Sequence, residues 1–259
     1  MSTNFSYMGF EIPVDLLNMT GGGTDSFERI SKGHIDYLKD RVGINPIDNI
    51  LEIGCGIGRD AIPLTQIINS NSSYLGIDII GRSIAWCSNN ITPKYPNFKF
   101  VHFDVEDQLH NPQGSKKQKN IPVPIDDNTV DRIILWSVVT HLFEEDTIHY
   151  FKEFARVLKP NGLVVVTCFV VDEYILEAAR KVNLTQHNLR FEHTYGDGCF
   201  INDANVPAGA VAYTHEKITD IVSKGGLKLD RPLLTGQWWG NQEGQGYGQD
   251  VLILRRSDV

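Results

Sequence analysis

The sequence predicts an α/β fold, a mostly parallel sheet doubly wound with helices on both faces, and three observations carry that expectation. Residues 50–60, Ile50-Leu51-Glu52-Ile53-Gly54-Cys55-Gly56-Ile57-Gly58-Arg59-Asp60, begin as an apolar run fit for a buried strand and turn sharply over three glycines. Apolar positions at Ile62, Leu64, Ile67 and Ile68 then follow at helical spacing. Leu163-Val164-Val165-Val166-Thr167 is a continuous β-branched run, as a central parallel strand buried on both faces requires. Between these lie further short apolar segments alternating with helix-like ones, ending at Asp78, near Phe103 and near Val138.

The spacing of the glycine turn narrows what it can hold. A dinucleotide fingerprint read from Gly54 requires its third glycine at position 59, where Arg59 stands. A phosphate-binding P-loop is excluded because no Gly-Lys-Ser/Thr closes the motif. What remains is acidic-x-Gly-x-Gly-x-Gly, starting at Glu52.

That pattern, followed in order by Gly76-Ile77-Asp78-Ile79, Phe103-Asp104-Val105-Glu106 and the strand-like Val130-Asp131-Arg132-Ile133-Ile134-Leu135-Trp136-Ser137-Val138, resembles the class I S-adenosylmethionine (SAM) dependent methyltransferases over residues 50–170. The resemblance implies a Rossmann-like sheet of seven strands, mostly parallel with an antiparallel last strand, and S-adenosyl-L-methionine as cofactor, released as S-adenosyl-L-homocysteine. It implies that the backbone of Gly54, Gly56 and Gly58 meets the methionine end, with Cys55 lining the pocket and Glu52 a partner for the amino group, direct or through water. Asp78 is then the ribose acceptor, since a carboxylate takes two hydrogen bonds at once. Ile79 lies against adenine, Asp104 accepts from its amino group, the Val105 N–H donates to a ring nitrogen, and Ser137 sits close to the cofactor. A ligand-free strand-end Asp at 78, a loop cap at 104 and a purely structural turn are the competing readings.

Composition bounds the rest. With 259 residues, 41% hydrophobic and 22% charged, the chain suits a single domain. Residues 1–45 are read as an N-terminal cap with an extra helix, 46–170 as the cofactor core, 171–212 as a substrate-cap insertion, and 213–259 as the last helix and closing strands. No apolar run approaches bilayer length and residues 1–7 lack a secretory pattern, so no membrane span and a cytoplasmic location are expected. Four scattered cysteines suggest neither a disulfide framework nor a zinc site, and no metal is expected. A formal charge of -8 argues against nucleic acid as partner, because phosphate binding rests on several Lys and Arg. Oligomeric state is not readable.

In chain order, residues 1–24 show little periodicity and contain Gly21-Gly22-Gly23, a hinge-like run that is either part of a lid or merely a loop. Asp25-Ser26-Phe27-Glu28 reads as a capped helix start, with Phe27, Ile30, His34 and Leu38 on one face. The helix after the glycines begins no later than Asp60, because Pro63 is tolerated only in a first turn. Further helices are predicted over 81–90, from Asp146 to Leu158, over 173–182 and over 213–224, and strands at 99–103, 163–169, 227–229 and 250–254. Pro160-Asn161-Gly162 reads as a helix stop. Residues 110–124, with Lys116-Lys117-Gln118-Lys119, read as a solvated loop.

Chemistry is expected after the fourth strand, outside the carboxyl ends of the strands. His141 is the candidate general base, able to accept a hydroxyl proton near neutral pH, or else it holds its loop by hydrogen bonding. Trp136, His141, Tyr195 and Trp238 are the candidate acceptor contacts. The adjacent Trp238 and Trp239 either stack on a flat acceptor or anchor a Gly/Gln-rich loop. The expected activity is methyl transfer to a small-molecule or glycan acceptor, most readily a hydroxyl oxygen. Alternatives are an N-methyltransferase of a small amine and a non-catalytic SAM-binding sensor or partner protein.

Overall fold

The computed structural model describes residues 3–106, 111–115, 121–182, 188–244, 246 and 248–257. The Lys116-Lys117-Gln118-Lys119 run lies outside the described residues. Seven strands form one sheet in the order β12-β13-β7-β6-β3-β4-β5, the Rossmann-like arrangement the sequence predicts. The chain divides into two compact units, Met1–Lys117 with Val130–Ile134, and Gln118–Thr129 with Leu135–Val259.

The first unit opens with a hairpin, β1 (Asn4–Tyr7) and β2 (Phe10–Pro13), paired antiparallel around Met8 and Gly9, both at positive φ. Helix α1 (Val14–Met19) buries Leu16 and Leu17, and α2 (Thr24–Tyr37) continues as a π-helical turn over Leu38–Val42. The start of α2 differs from expectation. Its N-cap is Gly23, and Ser26 reaches back so that its hydroxyl donates to the Gly23 carbonyl and accepts the Gly23 N–H. Asp25 and Glu28 are left exposed. The hairpin and α1 were not foreseen, because four-residue strands and a six-residue helix are too short to show a period.

Strand β3 (Ile50–Ile53) is buried at every position and leads into the glycine turn. Helix α3 (Ala61–Leu64) is shorter than its apolar spacing suggests, with Asp60 as N-cap and Pro63 in the first turn. Next come β4 (Tyr74–Asp78), α4 (Gly81–Asn90), β5 (Phe98–His102) and β6 (Val130–Leu135). Strand β3 pairs in parallel with β4 on one side and β6 on the other, and β4 pairs in parallel with β5. The chain order thus reverses between β3 and β6, the switch point at whose carboxyl side open α/β sheets bind their ligands.

The second unit begins with α5 (Glu144–Val157), whose first turn carries Glu144, Glu145 and Asp146 and whose apolar face buries Tyr150, Phe151, Phe154 and Val157. Strand β7 (Leu158–Cys168) starts five residues before the predicted point, so Pro160-Asn161-Gly162 lies within it rather than in a separate turn. Strand β13 (Asp250–Arg256) pairs antiparallel with β7 and with β12 (Leu227–Leu229), which gives the closing strands expected from sequence. Residues 171–212 hold α6 (Glu173–Lys181), capped by Asp172, and a small sheet of β8 (Val170–Val171), β11 (Val211–Thr214), β10 (Cys199–Ile201) and β9 (His193–Thr194), in that order. Helix α7 (His215–Lys224) is capped by the Thr214 hydroxyl, which accepts the Lys217 N–H.

Candidate functional site: a glycine turn and its acidic partners

The turn after β3 places Gly54, Gly56 and Gly58 at φ +78°, +52° and +80°, left-handed angles that a Cβ disfavours. Asp78, at the end of β4 and 8% exposed, braces this turn. Its Oδ2 accepts the Gly56 N–H at 2.7 Å and its Oδ1 the Ile80 N–H at 2.8 Å. Both carboxylate oxygens thus accept a backbone N–H, one from the turn and one from the start of the next helix. Ile79, next in sequence, is half-buried beside it.

Glu52 is buried within β3, where the Tyr74 hydroxyl donates to its Oε2 at 2.5 Å. Burial, reinforced by the charge of Asp60, pushes its carboxyl well above the usual range, against the Tyr74 hydrogen bond. A site of this kind gains from a cation. Cys55 and Cys87 are buried, and desolvation followed by the charge of Asp78 holds both thiols well above their ordinary range. They line the turn as unreactive apolar groups.

Asp104 and Val105 lie just beyond β5. The Asp104 carboxylate accepts from Ser115 Oγ at 2.7 Å and from Asn111 Nδ2 at 3.2 Å, and the Ser115 bond chiefly lowers its pKa. The Val105 N–H donates to the Phe103 carbonyl at 2.8 Å. In this structure the groups assigned to adenine are therefore engaged locally.

Two features of the turn escaped the sequence. His34, on the apolar face of α2, meets Asp60 through Nδ1 and Oδ2 at 2.6 Å, with both side chains buried, and Asp60 Oδ1 has no partner. The Ser31 hydroxyl, itself buried, donates to the Arg59 carbonyl at 2.8 Å. Helix α2 is thus pinned to the exit of the glycine turn. Two polar residues three apart, Ser31 and His34, on a face otherwise carrying Phe27 and Leu38 were the available signal. Thr20 is the second feature, and its hydroxyl accepts the Ile57 N–H at 3.1 Å.

In the second unit, Ser137 follows β6 with φ +56°, a conformation rare for a residue with a Cβ and typical of strained functional turns. Its N–H donates to Thr167 Oγ1 at 2.7 Å and its hydroxyl to Gln249 Oε1 at 3.1 Å. Trp136 beside it is buried. His141 ends the 3-10 turn Val139–His141, and its Nδ1 lies 2.9 Å from the Ala208 carbonyl. A carbonyl only accepts, so Nδ1 carries the proton and Nε2 is the basic nitrogen of the neutral ring. Tyr195 is 47% exposed and stacks on Phe143, with centroids 4.6 Å apart.

Trp238 is 5% exposed, packs edge-on against Phe169 and Phe191, and donates its indole N–H to Asp250 Oδ2 at 2.9 Å. That geometry is the anchoring alternative, with neither face of the indole presented for stacking. Asp250, also missed from sequence, accepts in addition from the Gly236 and Val170 N–H groups, and burial raises its pKa to about 6 against these bonds. Among the described residues no cluster of three or more His, Cys, Asp or Glu could hold a metal ion, and no helix is long and apolar enough to cross a membrane.

Residues 50–162 match the family model described as a methyltransferase domain. The chain is similar to the sterol 24-C-methyltransferase erg6 of Schizosaccharomyces pombe, 25% identical over 199 residues that cover 73% of this chain and 47% of that protein. It spans about half the length of the curated relatives it matches. The fold is similar to that of the mitomycin 7-O-methyltransferase MmcR, at TM-score 0.55 and 13% identity, covering 91% of this chain and 55% of that one. It is also similar to the 1,6-didemethyltoxoflavin-N1-methyltransferase of Burkholderia thailandensis, at TM-score 0.53 and 13% identity, covering 89% and 80%.

Proposed function

Residues 50–162 match a methyltransferase domain, and we propose that the chain is a class I SAM-dependent methyltransferase that transfers the methyl group of S-adenosyl-L-methionine to a small-molecule or glycan acceptor, at a hydroxyl oxygen, by in-line displacement. When bound, the cofactor supplies a methyl group already activated by its sulfonium. The protein's part is then to align the acceptor behind that carbon and to remove the hydroxyl proton.

Glu52 would hold the α-ammonium, Asp78 the ribose hydroxyls, and Asp104 with the Val105 N–H the adenine edge. The Asp104 assignment requires Asn111 and Ser115 to yield their present bonds to its carboxylate, and the Val105 assignment requires its N–H to leave the Phe103 carbonyl. His141 takes the proton at Nε2. The observation that carries this assignment is the Nδ1 to Ala208 contact, which sets the ring in the tautomer a base requires. Residues 171–212 act as the acceptor cap, with Tyr195 as its exposed aromatic contact.

A second reading, transfer to carbon, is favoured by the similarity to the sterol 24-C-methyltransferase of Schizosaccharomyces pombe. The two separate in one experiment. Methyl-labelled SAM is incubated with fractionated acceptor pools, and the labelled product is tested for acid-stable carbon attachment. An ether or ester product with acceptor-dependent release of S-adenosyl-L-homocysteine supports the oxygen acceptor, and a new C–CH3 group supports the alternative. SAM uptake with no turnover in any pool favours a binding protein.

A further inference from the structure

The N–H groups of the glycine turn all have partners within the chain. Gly56 donates to Asp78, Gly58 to the Cys55 carbonyl, and Ile57 to the hydroxyl of Thr20. Asp78 belongs to the sheet and Cys55 to the turn itself. Thr20 belongs to neither, since it lies in the linker between α1 and α2.

Its fit against the turn is close. A Cβ built on Gly56 would stand 2.6 Å from both Thr20 Cγ2 and Thr20 Oγ1, so the notch created by the missing side chain is filled by Thr20. Arg59 fastens the linker from the other side, its Nη1 donating to the Thr20 carbonyl at 3.3 Å and to the Gly21 carbonyl at 3.0 Å. Beyond Thr20 come Gly21 and Gly22 at φ +80° and +79°, then Gly23 as N-cap of α2. Helix α2 is held by His34 to Asp60 and by Ser31 to the Arg59 carbonyl, so any movement concentrates in the glycines.

We propose that Thr20 is an internal occupant of the cofactor cradle: its hydroxyl and methyl fill the Gly56 notch and cap the Ile57 N–H, and the cofactor displaces it on binding, with Gly21 to Gly23 as the hinge. The proposal rests on the assignment of the glycine turn to SAM and adds a competing ligand built into the chain. The Ile57 N–H is then a cofactor-facing donor that a sequence reading of the glycines alone does not pick out. A hydroxyl oxygen acting as acceptor at this N–H marks the place as suited to an oxygen of the ligand. Binding must break the Ile57 to Thr20 hydrogen bond, unpack the Thr20 methyl and loosen the Arg59 bonds to the Thr20 and Gly21 carbonyls, so the apparent affinity is lower than the open site would show.

The test is titration calorimetry with S-adenosyl-L-homocysteine, together with stopped-flow association, on the full chain and on Thr20→Val, Thr20→Ala and Thr20→Ser. Loss of the hydrogen bond in Thr20→Val and Thr20→Ala should tighten binding by about five-fold, mostly through faster association. Thr20→Ser keeps the hydroxyl and should stay closer to the parent. Hydrogen exchange of the amides at Gly21, Gly22 and Gly23 should speed up at saturating ligand. Unchanged or weakened binding in Thr20→Val and Thr20→Ala overturns the proposal, weakened binding making Thr20 a group that holds the bound cofactor. Slower exchange at the glycines overturns it too. If the parent chain takes up no S-adenosyl-L-homocysteine, the cofactor assignment falls and the proposal with it, whereas uptake by the parent with no gain in the variants removes the proposal alone.

Discussion

Replacing Asp78 by Ala perturbs two functions of one carboxylate, and the structure separates them. Seen from sequence, Asp78 is a ribose acceptor whose loss leaves the fold intact. In the structure it is also a brace, accepting the Gly56 and Ile80 N–H groups at 2.7 and 2.8 Å while almost fully buried. Hydrogen bonds to a charged acceptor contribute about 1.5 to 3 kcal/mol each, so losing two costs about 3 kcal/mol at the low end. With a urea m-value of about 2.5 kcal/mol/M, that lowers the midpoint of the first unit by about 1 M. Asp78→Asn keeps one acceptor and turns an amide N–H2 toward the other donor, so it should fall no less than half as far. Urea unfolding, followed by circular dichroism with and without S-adenosyl-L-homocysteine, reads both effects. Ligand at about 100 times its Kd should add about 2.7 kcal/mol to the parent chain and much less to Asp78→Ala. A midpoint for Asp78→Ala within about 0.2 M of the parent would refute the bracing role. An equal gain from ligand in both proteins would refute the ribose assignment.

Three further outcomes follow from the second unit. His141→Ala should lower kcat by about 10²-fold or more while leaving SAM affinity unchanged; an unchanged kcat assigns His141 to holding its loop through the Ala208 carbonyl. Trp238→Phe should cost about 1.5 to 3 kcal/mol of stability through the lost bond to the Asp250 carboxylate, with no change in acceptor KM, whereas a raised KM at unchanged stability would support Trp238 as an acceptor contact. Asp250 has its folded pKa raised from 3.8 to about 6, so the native state binds the proton more tightly than the unfolded one, and the stability this confers is full below about pH 4 and is lost as pH rises through about 6. The parent should therefore lose about 2 to 3 kcal/mol relative to Asp250→Asn between pH 4 and 7, and parallel pH dependences in urea midpoints would refute it.

What could be read from the sequence, and what could not, divides along a physical line. Strand β3, α4, α7 and the closing pair β12 and β13 were legible because each carries its own periodicity or punctuation: a four-residue apolar run before glycines, Gly81 opening α4, Gly225-Gly226 ending α7. The acidic positions Glu52 and Asp78 stand out in the sequence for the same reason, Glu52 within the short run before the glycines and Asp78 at the end of β4. The second acceptor or donor of each polar side chain was not legible, because it comes from a segment distant in sequence. Asp78 to Gly56 spans 22 residues, Thr20 to Ile57 spans 37, and Trp238 to Asp250 spans 12. Periodicity reports which face of an element is buried. It does not report which buried polar atom meets which, and that pairing decides whether Trp238 stacks or anchors and whether Asp78 only binds or also braces. The pairing also explains why α2 could be foreseen as an amphipathic helix while its role could not. Phe27 and Leu38 announce burial, but only contact with Arg59 and Asp60 converts Ser31 and His34 from polar residues on an apolar face into the clamp that fixes one side of the glycine turn and leaves Thr20 to Gly23 as the part able to move.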